Sequence, residues 1–94
     1  MTITNQTSVQ GHLYTELASL YKTPLYVYDG NQIQKNFLAF QKAVSGLNSK
    51  VHFAVKANSS IAILSLLNQV GAGADIVSGG ELMRALAANI KADN

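Results

Sequence analysis

The residue in this chain best placed for chemistry is a lysine at the end of a short apolar run, Val51-His52-Phe53-Ala54-Val55-Lys56-Ala57-Asn58. A cationic amine is costly to remove from water, so a lysine in such a run needs a reason. In a dry pocket the neutral amine is favoured, and it can attack a carbonyl carbon to form a Schiff base. The same position also suits a lysine whose stem covers a strand end while its amine reaches solvent. A second candidate is Asp75, in Ala74-Asp75-Ile76-Val77-Ser78. Neighbouring strands lie about 4.8 Å apart, so a carboxylate there can pair with an amine one strand away. It can equally accept hydrogen bonds from the turn amides that follow Gly73.

Other polar groups read as structural. Ser78-Gly79-Gly80-Glu81 has the spacing of a capping box and opens a helix. Gly71 and Gly73 begin a G-x-G-x-x-G pattern, but its third position is Ile76, so the dinucleotide fingerprint fails. No Walker pattern occurs. There is no cysteine, and no His, Asp and Glu set has metal-ligand spacing, so no metal is expected. His52 falls on the same strand face as Lys56, yet a single histidine is more often a satisfied core or edge residue. Tyr26 and Tyr28 flank Val27 as strand-packing residues.

The elements that must position these groups follow from periodicity. Leu13, Leu17, Leu20 and Tyr21 predict a short amphipathic helix that Thr23-Pro24 stops, after a loose end from Met1 to about Val9. Leu25-Tyr26-Val27-Tyr28 has strand composition, and Asp29-Gly30-Asn31 turns the chain and can cap the next helix. Ile33, Phe37, Phe40 and Val44 define one helix face ending near Gly46. In the lysine strand, alternation gives Val51, Phe53 and Val55 to the face that packs on helices and His52, Ala54 and Lys56 to the other. Asn58-Ser59-Ser60 breaks that strand. Residues 60–70 form a helix apolar nearly all round, to be buried on more than one side and ended by Gly71. Residues 74–78 form the next strand. Leu82, Met83, Leu86 and Ile90 supply the last buried face. Strands alternating with helices predict right-handed βαβ units and a parallel sheet. Lys56 then stands where a strand meets the loop before a helix, the place where such folds build active sites.

Apolar residues make up 48% of the 94 and charged residues 13%, a globular composition poor in charge for so small a domain. Two parallel strands do not make a stable sheet with both faces covered. Both observations predict that the chain is the opening of a larger α/β barrel, or that it pairs with other chains. The net charge is +2 and the basic residues are scattered, so nucleic-acid binding has no support. The first fifteen residues lack the apolar core of a signal peptide, and no run reaches the length of a membrane span. A cytoplasmic protein is expected.

Three blocks together resemble the N-terminal part of the diaminopimelate decarboxylase family, within the alanine-racemase-like fold type III of pyridoxal-phosphate enzymes. They are Thr23-Pro24-Leu25-Tyr26-Val27-Tyr28-Asp29; Phe53-Ala54-Val55-Lys56-Ala57-Asn58-Ser59; and residues 71–82, Gly-Ala-Gly-Ala-Asp-Ile-Val-Ser-Gly-Gly-Glu-Leu. The resemblance spans about Leu13 to Ile90. It implies the first part of a TIM-like (β/α)8 barrel that binds pyridoxal phosphate. Residues 30–94 would supply the first, incomplete βα units. Residues 1–29 would be associated with the family's C-terminal β domain, to which Thr23–Asp29 would lend a strand. Lys56 matches the lysine that holds the cofactor, and Asp75 an acidic residue near its amine. The implied reaction converts meso-diaminopimelate to L-lysine and carbon dioxide in a homodimer with active sites at the subunit interface. Nothing in the chain matches the family's phosphate-binding glycine loop, the acidic partner of the pyridine nitrogen, the substrate-carboxylate residues or the partner subunit's cysteine. These are expected beyond Asn94, and the 94 residues alone are expected to be inactive. Three further readings stand beside this one: a related decarboxylase of ornithine, arginine or carboxynorspermidine, a non-catalytic homologue that binds a partner protein, and a short oligomerisation module.

Overall fold

The computed structural model describes residues 6–94. Its first element is a small antiparallel hairpin, β1 (Ser8–Val9) and β2 (His12–Leu13), with Ser8 opposite Leu13 and Val9 opposite His12. Gln10 (φ 48°) and Gly11 (φ 80°) both take positive φ, as a two-residue primed turn requires. The expected loose end is therefore ordered from β1 onward, and Met1–Asn5 lies outside the described residues. Helix α1 (Tyr14–Tyr21) follows and buries none of its residues.

Residues 25–29 then belong to no helix or strand, so the strand expected at Leu25–Tyr28 does not form among the described residues. Composition favours an extended backbone, but a strand exists only when its N–H and C=O groups meet another chain segment. Tyr26 is 87% exposed there.

Helix α2 (Gly30–Ala43) begins where Asp29 caps it, the carboxylate accepting from the Gln32 amide at 3.2 Å. Its Phe37 is buried, packed with Ile63, Leu67 and Ala72. Strand β3 (His52–Ala54) lies parallel to β4 (Gly73–Asp75), and the crossover between them carries α3 (Ile61–Gln69). This is the parallel unit that the alternating pattern predicts. Helix α3 is buried on two sides, as its all-round apolar sequence requires. Leu64 joins a cluster with Val55, Ala85, Ala88 and Ile90, while Ile63 and Leu67 join the cluster of α2. Phe53 bridges both clusters.

Helix α4 (Gly79–Ala87) closes the described chain. Its buried face differs from the expected one. Ala85 and Ala88 are buried, with Ile90 just past the helix, while Leu82, Met83 and Leu86 stand exposed. Small side chains let α4 approach Val55 and Leu64 closely, and the bulkier residues then point away. Helices α3 and α4 end alike. Gly71 (φ 93°) and Asn89 (φ 68°) take the left-handed conformation, and the next amides, Ala72 and Ile90, reach back to the Leu67 and Ala85 carbonyls at 3.1 Å. Both ends are Schellman motifs, each followed by a buried apolar residue.

Candidate active site

The apolar run around Lys56 is shorter as a strand than its sequence suggests. Strand β3 stops at Ala54, and residues Val55–Ala57 form a single 3-10 turn that the Asn58 amide closes on the Val55 carbonyl at 3.0 Å. The last pair of the ladder is Ala54 and Asp75, and the backbone turns away at Val55. Lys56 therefore projects from the turn rather than from the strand, and it is exposed. Beneath it Val55 is fully buried, which anchors the turn in the core.

Asp75 is the residue paired with Ala54 across the parallel ladder. Both are the last residues of their strands, so the carboxylate and the lysine turn meet at one end of the sheet. Paired residues of a parallel ladder share a face. Asp75 thus stands on the face of His52 and Ala54, and it is exposed. Strand β4 is also shorter than expected, ending at Asp75 rather than Ser78.

His52 has a packing role. It pairs with Gly73, and a Cβ on Gly73 would collide with the imidazole ring and with the main-chain oxygen of Asn94. The glycine is the space that the ring fills. Ser78 and Glu81 cap α4: the Ser78 hydroxyl accepts from the Glu81 amide at 3.1 Å, and the Glu81 carboxylate accepts from the Val77 amide at 3.1 Å. The second bond lands one residue earlier than the usual box, and it ties the end of β4 to the start of α4.

A cavity of about 580 Å³ forms an open apolar cleft between α2 and β3. Phe37, Phe40, Phe53, Ile63 and Leu67 line it, along with Ala57 and Asn58 beside Lys56. Neither Lys56 nor Asp75 lines it. No group of three or more His, Cys, Asp or Glu among the described residues is placed to hold a metal ion. One residue that the sequence pattern did not single out also reaches the lysine loop. Arg84 Nη1, on α4, donates to the Ser59 carbonyl at 3.3 Å. No local pattern signals that contact, because the two residues are 25 apart.

The donor set here is a primary amine and a carboxylate at the same end of two parallel strands. An exposed amine on an anchored turn can bond covalently to an aldehyde, and a carboxylate one strand away can hold it. These residues fit an aldehyde cofactor.

Residues 30–94 match the family described as pyridoxal-dependent decarboxylase, pyridoxal binding domain. The diaminopimelate decarboxylase of Helicobacter pylori strain J99 is 51% identical over 78 residues, covering 83% of this chain and 19% of that protein. A crystal structure of the H. pylori enzyme complexed with L-lysine superposes with a TM-score of 0.77 at 49% identity, over 83% of this chain and 20% of that one. The diaminopimelate decarboxylase structure from M. jannaschii gives a TM-score of 0.83 at 38% identity, over 95% of this chain and 22% of that one. The chain spans about a fifth of the length of these relatives.

Proposed function

The chain belongs to the family of pyridoxal-dependent decarboxylases, whose pyridoxal-binding domain its residues 30–94 match, and we propose on that footing that Lys56 holds pyridoxal phosphate in a diaminopimelate decarboxylase. The observation that carries this reading is that the Lys56 turn leaves β3 at the end of the sheet where Asp75 ends β4. When bound, the cofactor serves as an electron sink for the pair left behind by departing carbon dioxide. Lys56 contributes the amine that holds the cofactor. When not engaged in holding the cofactor, the Lys56 Nζ would be the group to carry a proton to or from the reacting carbon. Asp75, one strand away at the same end of the sheet, is the carboxylate that would hold the Lys56 amine in place. Val55 holds the turn rigid from below, so the amine works from a fixed base.

The substrate in this reading is meso-2,6-diaminopimelate and the products are L-lysine and carbon dioxide. Its support is the relatives' naming as diaminopimelate decarboxylases at 44–51% identity. A homodimer and a cytoplasmic location belong to the same reading, and the resemblance is their support. No helix among the described residues is long and apolar enough to cross a membrane.

The test is borohydride reduction of the protein made from its own gene, followed by intact-mass measurement and peptide mapping. The expected result is a mass well above 10.0 kDa and a pyridoxyl adduct on Lys56. A mass of 10.0 kDa without an adduct would overturn the reading for this protein. Lys56→Ala should remove the adduct and lower decarboxylation by at least about a hundredfold, the usual worth of a positioned proton carrier. Turnover of diaminopimelate should exceed that of ornithine, arginine and carboxynorspermidine, and a reversed order would reassign the substrate. The isolated 94-residue chain should show no turnover.

A further inference from the structure

The lysine turn and the loop that leaves it, Asn58-Ser59-Ser60, are held mostly by their own neighbours. The Asn58 amide donates to the Val55 carbonyl, and the Ser60 amide donates to Asn58 Oδ1, each at 3.0 Å. One side-chain restraint comes from elsewhere in the fold: Arg84 Nη1, on α4, donates to the Ser59 carbonyl at 3.3 Å. The next residue of that helix, Ala85, is buried in the same cluster as Val55. Helix α4 therefore grips this stretch at two points, through apolar packing under the turn and through a guanidinium on the loop that follows it.

We propose that Arg84 is a positioning residue for Lys56. By fixing the Ser59 carbonyl it sets the direction in which the main chain leaves the turn, and with it the direction of the Lys56 amine. The inference rests on the reading of Lys56 given above. The side chain suits the task. A guanidinium is charged at any working pH and offers five donors in a planar fork. A hydrogen bond from a charged donor is about twice as strong as a neutral one. Arg84 is exposed, so replacing it leaves both apolar clusters intact. A reacting group displaced by about 1 Å loses roughly a hundredfold in rate.

The experiment compares Arg84→Met and Arg84→Lys with the unsubstituted protein, made from its own gene. Arg84→Met keeps the aliphatic stem and removes every donor. It should lower kcat about tenfold to a hundredfold, leave KM within about twofold, and shift the visible absorption band of the cofactor on Lys56. Without cofactor, amide hydrogen exchange over residues 56–60 should speed up. Arg84→Lys restores a charged donor and should recover a good part of all three. If Arg84→Met keeps kcat, absorption and exchange, the proposal is wrong. If its kcat falls only in step with global stability and lysine gives no rescue, the residue is merely structural and the proposal is again wrong. A protein with no borohydride-trapped adduct on Lys56 would overturn the reading of Lys56 and this inference together. An adduct present beside an unaltered Arg84→Met variant would overturn this inference alone.

Discussion

Residues 6–29 and residues 30–94 are both rich in apolar side chains, yet they put them to different use. In the first stretch Leu20, Tyr21, Leu25, Tyr26, Val27 and Tyr28 are exposed, and Val9 is the one buried hydrophobic. In the second, Val55 and Leu64 are sealed from solvent at the meeting of the lysine turn, α3 and α4. The reason is topological. A parallel crossover folds its helix back onto the strands it joins, so α3 has a neighbour on each side. Helix α1 follows a hairpin of two-residue strands and buries none of its residues. Apolar patterning gives a segment a face to bury, and burial then needs a second surface within reach. The first stretch is tied to the second by a polar link instead. Asp29 Oδ1 accepts from Gln10 Nε2 at 2.9 Å within the first stretch and from the Gln32 amide of α2 at 3.2 Å across the boundary.

The contrast can be broken most directly at two leucines. Leu64→Ala empties a fully buried site and should cost about 2–5 kcal/mol. Leu20→Ala, at a position 72% exposed, should stay within about 0.5 kcal/mol. Urea denaturation of both variants checks this, and equal losses would show that the first stretch is buried in solution.

A smaller effect is expected where the second region is tightest. Gly73→Ala places a methyl group against the His52 ring and the Asn94 main chain, an overpacking worth about 1–3 kcal/mol. Adding His52→Ala should return only part of that loss, because the main-chain contact remains. Full recovery would mean that the ring alone sets the limit.

At the sheet end, Ser78→Ala removes the α4 cap and should cost about 1 kcal/mol. Ser78→Asp keeps an acceptor for the Glu81 amide and should hold most of the stability. The same denaturation midpoint measures both.

The weakest effect belongs to the link between the two regions. Hydrogen bonds from the Gln10 side chain and then the Gln32 amide hold the Asp29 carboxyl below its ordinary value of 3.8, against a small opposing effect of burial. A carboxyl lowered by folding stabilises the folded form above its unfolded value. That contribution fades as the pH falls through the folded one. Protection of the hairpin amides should therefore decline below about pH 4 and stay flat from there to neutrality. In Asp29→Asn the decline should vanish, while the cap on α2 survives because asparagine caps equally well. Amide exchange at Val9 and Tyr14, whose amide donates to the Thr7 carbonyl, reads the difference across that range.

Much of the second region is legible in the chain itself. Asp29, Ser78 and Gly71 announce helix ends because their partners lie within five residues, and the alternation of strands and helices predicts the parallel pairing. The lysine turn shows where such reading stops. Composition extends the strand to Lys56, but the last pair of the ladder is Ala54 and Asp75, and the backbone turns away at Val55. Helix α4 is a second case. Its largest apolar residues mark an amphipathic face, and the structure buries its alanines instead, because close approach to Val55 and Leu64 leaves room only for small side chains.

The sequence by itself determined the chemical parts: an amine at Lys56, a carboxylate at Asp75, and the caps and turns that start and stop each element. These depend on residue type and near neighbours, which a linear chain states directly. Only the tertiary structure decided that Asp75 stands across from Ala54, that Lys56 leaves the sheet on a turn anchored by Val55, that His52 fills the space at Gly73, and that Arg84 reaches Ser59. The three pairings among them join residues 21 to 25 positions apart. They are fixed by strand register and helix approach, which exist only once the elements have packed.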